Sequence, residues 1–241
     1  MKIKEGIIKV KDAIINALFP QDFSCIFCGR DIPSGNICDK CNNEEIYNNK
    51  NRCEICDSPI RDGNLICDHC KNNINKRHFQ KLTCPFIYDG YVRKSLLKFK
   101  SDGAKYLAKP FAEYIAERLT LNQIEFDVIV PVPSHKKKVK QRGYNPALAL
   151  ADELSKISGK PVADVLYKTR KTQNQKFLDY AQRQENLENS IILLNKSIIK
   201  DKKVLIIDDI ITTGATIEAC SKLLINAKTI YGCGIARRAL K

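Results

Sequence analysis

Four C-x2-C pairs, Cys25/Cys28, Cys38/Cys41, Cys53/Cys56 and Cys67/Cys70, follow one another at intervals of 9, 11 and 10 residues, and they limit what this part of the chain can become more than any other feature. Each pair forms a tight turn that offers two thiolates to one face of a metal, and two pairs complete a tetrahedral four-cysteine zinc shell. The spacing therefore predicts two structural zinc ions, with sulfur in every coordination position and none left for a catalytic water. Disulfides are the competing use of such cysteines. The opening "MKIKEGIIKVKDAIINALFP" argues against secretion, because Glu5, Lys9, Lys11 and Asp12 interrupt any signal-peptide core. A reduced, cytoplasmic setting is expected. Pairing along the chain gives two successive ribbons, and pairing first with third and second with fourth gives a cross-brace. Spacing does not decide between them, although successive ribbons are preferred. His69, inside "CDHC", reads as a solvent-facing residue beside two ligands. Eight thiolates and two zinc ions carry a formal charge of about −4, a poor match for phosphates, so the ribbons read as scaffold and not as a DNA-binding face.

Ahead of the cysteines, Ile3, Ile7, Val10, Ile14 and Leu18 recur at helical spacing. They predict an amphipathic helix over residues 1–20 that packs on its own protein. No stretch approaches the roughly 20 apolar residues of a membrane span, so none is expected. The net charge of +14 is unevenly distributed: 13 Lys+Arg stand against 11 Asp+Glu up to Leu82, and 28 against 16 beyond it. A basic excess of that kind favours an anionic partner, whether nucleic acid, polyphosphate or a phosphorylated small molecule.

From Thr83 onward short aliphatic runs alternate with helical patterns. "TCPFIY", "EFDVIVPVP", "DVLYKTR", "SIILL", "KKVLIIDD" and "TIYGCGIA" read as strands, and "GYVRKSLLKFK", "KYLAKPFAEYIAERL", "NPALALADELSKIS" and about Ala215 to Ile225 as helices. Asn145 and Pro146 mark one helix start as cap and first residue. The alternation predicts an α/β domain with a mainly parallel sheet flanked by helices. Cys84, Cys220 and Cys233 lie in apolar surroundings and read as small core residues. Ligands of such sheets bind beyond the carboxyl ends of the strands, which directs attention to residues 131–145, 168–189 and 204–216.

In "VLIIDDIITTGAT", residues 204–216, a buried strand delivers Asp208 and Asp209, groups with acceptor oxygens suited to sugar hydroxyls or to waters around magnesium. Thr212, Thr213, Gly214, Ala215 and Thr216 then turn into a helix, where backbone N–H groups and the helix dipole make an anion site. Hydroxyl-binding acids beside a phosphate cradle describe a ribose 5-phosphate. An Asx-type strand end and a threonine cap explain any one of these residues but not all of them together. A Walker P-loop and a Rossmann fingerprint are both absent.

The same stretch resembles the phosphoribosyl pyrophosphate (PRPP) motif of type I phosphoribosyltransferases. With the cysteine pairs, "PVPSHKKKVKQRGYNPALALA" and "RKTQNQKFLDYAQRQENLENSI", it resembles the ComF family over nearly the whole chain. The resemblance implies a double zinc-ribbon module over 21–82, following the helix of 1–20, and a phosphoribosyltransferase-like domain over 83–241. It implies that Asp208 and Asp209 are the catalytic acids on the ribose hydroxyls and that Thr212 to Thr216 hold the 5-phosphate. Val132, Pro133, Ser134, Lys136 and Arg142 would take the pyrophosphate, with magnesium accompanying PRPP, and Arg170, Gln175 and Arg183 would belong to a flexible loop. Of the run Lys136 to Lys138, only one or two members are given a phosphate role, the rest reading as a solvated face. Ser134 and His135 lack a third partner for a hydrolytic triad.

Two classes of function follow. One is an enzyme that moves a phosphoribosyl group from PRPP to an acceptor the sequence does not name. The other is a non-catalytic adaptor, or a single-stranded-DNA-binding component of DNA uptake, that retains the PRPP pocket and contacts competence proteins such as a DNA-uptake helicase. Against direct strand binding, the aromatics Tyr144, Phe177 and Tyr180 are scattered.

Overall fold

The computed structural model describes residues 24–43, 46–48, 51–60, 63–101, 103–169 and 190–239. The expected helix of 1–20 and the loop residues Arg170, Gln175 and Arg183 lie outside them. The chain divides into two compact units, Met1–Asn42 and Asn43–Lys241, and the division falls between the two four-cysteine clusters.

In the first unit Cys25, Cys28, Cys38 and Cys41 bring their sulfurs within 4.8 Å of one another. The turn between the first pair closes through Gly29 N–H to Cys25 C=O at 2.8 Å and Cys25 N–H to Arg30 C=O at 2.7 Å. Cys28 is the exposed member, and the other three are buried.

In the second unit Cys53, Cys56, Cys67 and Cys70 form the second cluster, the last of them on the short helix α1 (Asp68–Lys71). Cys53, Cys56 and Cys70 are nine-tenths buried or more and join the apolar core that also contains Leu82, Val130, Ile206 and Ile217. The strands β1 (Lys81–Thr83) and β2 (Phe86–Ile87) follow, then helices α2 (Gly90–Ser101) and α3 (Ala108–Leu121). Pro110 is the third residue of α3, in the first turn, where no intrahelical hydrogen bond is lost. Next come β3 (Val128–Pro131), α4 (Lys136–Arg142), α5 (Pro146–Ser158), the antiparallel pair β4 (Leu166–Lys168) and β5 (Ile191–Leu193), β6 (Lys203–Ile207), β7 (Ile210–Ile211), α6 (Ala215–Leu223), β8 (Thr229–Cys233) and β9 (Ala236–Arg237). Asn145 caps α5 as expected, its side chain accepting from Ala147 N–H.

The main sheet has the order β1-β8-β6-β3, all parallel, and a second parallel sheet has the order β2-β9-β7. The first three strands of the main sheet correspond one for one to the strands of the second, and β3 has no counterpart there. Each of three strands is interrupted for two residues at the same level, Cys84–Pro85, Asp208–Asp209 and Gly234–Ile235, and then resumes. "TCPFIY" and "TIYGCGIA" are therefore each broken in two. Pro85 lacks an N–H for the ladder. At the opposite break a Cβ on Gly234 would stand 3.0 Å from the Ile211 side chain and 3.3 Å from Asp208 C=O, so glycine permits the close approach.

The second ribbon is bonded into this sheet. Leu82 N–H donates to Ile55 C=O at 2.7 Å, which covers the edge strand β1. Cys84 N–H donates to Asp57 Oδ2 at 2.6 Å. Arg237, fully buried, donates from Nε to Cys56 C=O at 2.7 Å and from Nη1 to Ile211 C=O at 3.1 Å.

Candidate functional site

Ladder hydrogen bonds align the carboxyl ends of the central strands. Val132 N–H donates to Ile207 C=O and Asp208 N–H to Cys233 C=O, each at 2.9 Å, so the chain leaving β3 runs beside the chain leaving β6. The structure thus brings Asp208, Asp209 and the loop of Val132, Pro133 and Ser134 to one edge. Asn145 fixes that loop: its amide donates to Val132 C=O at 3.1 Å and accepts from Ser134 Oγ at 2.9 Å.

The aspartates are half-buried at the interruption between β6 and β7. Asp209 N–H donates to Asp208 Oδ1 at 2.8 Å, and Lys100 from α2 pairs with Asp209 Oδ1 at 2.8 Å. Burial, then the neighbouring Asp209 charge, push the Asp208 carboxyl up to about 7, against the opposing effects of Lys100 and the Asp209 N–H. The pair therefore combines a carboxyl easily protonated near neutrality with one already matched to a lysine. Lys100 was invisible in the sequence, where it is one lysine of a helical stripe.

After β7, Thr212 to Thr216 turn into α6. Gly214 adopts φ +83° at the helix start, a conformation that favours glycine, and a Cβ there would stand 3.1 Å from Leu82 Cδ1. Thr213 Oγ1 accepts from Ala215 N–H at 3.3 Å. The N–H groups of the first helical turn have no intrahelical acceptors and carry the positive end of the dipole.

Residues 136–142, read from sequence as part of a loop, fold as α4. His135 caps its start, with Nδ1 accepting from Lys137 N–H at 3.1 Å, and Gly143 at φ +84° ends it. His135 thus has a structural role that its lack of triad partners did not reveal. A cavity of about 570 Å3 opens beside this helix, lined among others by Pro133, Ser134, Lys136, Tyr167 and Lys168. Arg142, half-buried in the last turn of α4, stands outside that lining. Burial pushes the Lys168 ammonium down, as does the Lys138 charge, while Asp208 opposes them. Lys105 and Lys140 line the same cavity.

The cysteines satisfy a direct geometric test for zinc. Cys28 and Cys38, and likewise Cys56 and Cys67, hold their sulfurs 3.7 Å apart, and Cys53 and Cys70 are separated by 3.5 Å. Zn–S bonds of about 2.3 Å in a tetrahedron require S–S separations of about 3.8 Å, whereas a disulfide requires about 2.05 Å. Among the described residues no disulfide forms. The clusters join successive pairs, as preferred, and exclude the cross-brace. His69 belongs to neither cluster and is half-buried, not solvent-facing. Cys84, Cys220 and Cys233 are core residues whose thiols burial pushes up.

This arrangement defines a class: the chain belongs to the family of phosphoribosyl transferase domains, whose model matches residues 106–230. A double zinc ribbon domain matches residues 14–71. The particular relatives it resembles over most of its length are ComF-type competence proteins. Competence protein F of Haemophilus influenzae is 26% identical over 228 residues, which is 90% of this chain and 97% of that protein. Competence protein ComFC of Streptococcus pneumoniae is 30% identical over 156 residues, 64% of each. Among solved structures, a glutamine PRPP amidotransferase from B. subtilis is matched at 20% identity and a TM-score of 0.35, over 54% of this chain and 25% of that one. Among the described residues, no helix is long and apolar enough to cross a membrane.

Proposed function

We propose that this chain binds PRPP at the shared carboxyl edge and transfers its phosphoribosyl group to an acceptor within a process of DNA uptake. The observation that carries the reading is the convergence of Asp208–Asp209, the Thr212–Thr216 turn and the Val132–Ser134 loop around adjacent parallel strands. In this reading Asp208 and Asp209 accept hydrogen bonds from the ribose hydroxyls, and their charge lies near the ribosyl carbon as positive charge develops there. The turn of residues 212–216 holds the 5-phosphate. The backbone N–H at Ser134, with Lys136 and Lys168 beside it, takes the pyrophosphate as its bond to the anomeric carbon breaks and the bond to the acceptor forms, since the Val132 N–H is held by Ile207 and Pro133 has none. Magnesium accompanying PRPP beside Asp208 and Asp209 would add cationic stabilisation of that leaving group. The relatives' names supply the link to competence. Direct binding of single-stranded DNA draws no support from Tyr144, whose hydroxyl donates to Phe99 C=O and whose ring packs against Phe99 with centroids 5.8 Å apart.

Calorimetric titration of PRPP with magnesium into the wild type and into an Asp208→Ala, Asp209→Ala double variant tests this. Binding that is lost in the folded double variant supports the assignment. A wild type that binds no PRPP, or a double variant that binds it equally well, sinks it.

A further inference from the structure

The segment leaving the second cysteine cluster runs past the phosphate turn. Asn73, Lys76, Arg77 and Phe79 of that segment line a small cavity of about 40 Å3 together with Thr213, Gly214 and Glu218. Roughly 10–15 Å3 of such space admits one water, so the cavity takes about three water-sized groups, the scale of the oxygens of one phosphate. None of the four ribbon-side residues belongs to the PRPP motif.

Arg77 is the unusual member. Its Nε is shielded from solvent and donates to no acceptor among the described residues. Its guanidinium lies over the Phe79 ring, 5.1 Å from the centroid, which holds the plane of the fork. Arg77 as a whole is only half-buried, and a guanidinium fork matches phosphate oxygens in pairs. Glu218 is the one carboxylate in the lining, and both its oxygens are engaged by His78: Oε1 with Nδ1 at 2.6 Å and Oε2 with the backbone N–H at 3.2 Å. His78 thereby anchors the segment to α6, as Arg237 anchors the ribbon to β7. Arg77 also stands within electrostatic reach of Cys70, so it offsets the charge of the zinc thiolates. That duty asks for positive charge alone and does not account for Arg77 lining one cavity with Thr213 and Gly214.

We infer that Arg77, carried by the second zinc ribbon, is a ligand of the 5-phosphate at the Thr213–Gly214 turn, so that the ribbon forms one wall of the ribose-phosphate site. The inference rests on the reading of residues 212–216 given above. The helix start supplies backbone donors from one side of the anion, and Arg77 supplies a charged, paired donor from the other.

Full-length wild type, Arg77→Gln and Arg77→Lys, each assayed for zinc content, are titrated with ribose 5-phosphate, with PRPP and magnesium, and with pyrophosphate and magnesium. Arg77→Gln should lose at least tenfold in affinity for ribose 5-phosphate, the size of one charge-assisted pair, with pyrophosphate affinity unchanged. Arg77→Lys keeps the charge beside the zinc and should still lose several-fold, since an ammonium cannot reproduce the fork. Either variant binding ribose 5-phosphate as tightly as the wild type, with its zinc intact, overturns the inference while leaving the PRPP reading standing. A wild type that binds neither ribose 5-phosphate nor PRPP overturns both.

Discussion

Asp208 sits where the sheet is interrupted, with its carboxyl pushed up to about 7 first by burial and then by Asp209. An unfolded aspartate titrates near 3.9. Between about pH 4 and 7 the folded chain therefore holds a proton that the unfolded chain has released, so stability from this group falls as pH rises through that window and levels off above it. Urea unfolding from pH 5 to 8 should show the decline in wild type and a flatter profile in Asp208→Asn; parallel profiles in the two proteins would refute the assignment. Ribose hydroxyls donate to the ionised carboxylate, so PRPP affinity should climb toward pH 7 over the same range. The two aspartates were legible because they follow four aliphatic residues and precede a threonine-rich turn. Lys100, Arg77 and Arg237 were not, because each acts on residues remote along the chain, 181 positions away for Arg237 and Cys56.

Among the elements, the loop between β3 and α5 depends on one amide. Asn145→Ala removes the cap of α5 and the bonds to Ser134 and Val132. It should cost about 1–2 kcal/mol in urea unfolding and weaken pyrophosphate binding in calorimetry; an unchanged pyrophosphate affinity would separate the loop from the site. In β8, a Cβ on Gly232 would come 2.5 Å from Leu82 Cδ2 and 2.9 Å from Ile217 Cγ2. Gly232→Ala should therefore destabilise by about 1–3 kcal/mol, and a melting temperature equal to wild type would show that Leu82 moves aside freely. Periodicity revealed the long helices and the buried parallel strands, since apolar spacing records burial directly. It could not reveal α4, because "KKKVKQR" has a single apolar residue and is held by His135 and Gly143 at its ends. Nor could it reveal the aligned interruptions, which arise from three segments distant in sequence meeting at one level.

For the molecule, the second zinc ribbon belongs to the same compact unit as the sheet. Ile55 and Cys56 carbonyls and the Asp57 carboxylate receive Leu82, Arg237 and Cys84. Cys70→Ser should release one zinc and destabilise this unit by on the order of 3 kcal/mol or more, because the metal's binding free energy is lost and Arg237 gives up its Cys56 acceptor, keeping Ile211 C=O, while remaining buried. Thermal unfolding and a metal assay check this, and Cys28→Ser serves as the comparison, since Cys28 touches none of those three bonds. The cysteine spacing made both metal sites legible, but it carried no sign that one ribbon is built into the core.

The central claim is that a ribose phosphate binds where these strands end. Amide hydrogen exchange of the full chain, with and without PRPP and magnesium, locates that site without any substitution. Exchange should slow at Val132 and Ser134, the two amides of residues 131–134, at residues 212–218, and near Arg77. Unchanged exchange in those segments at saturating PRPP, or slowing confined to residues 24–42, would contradict the account.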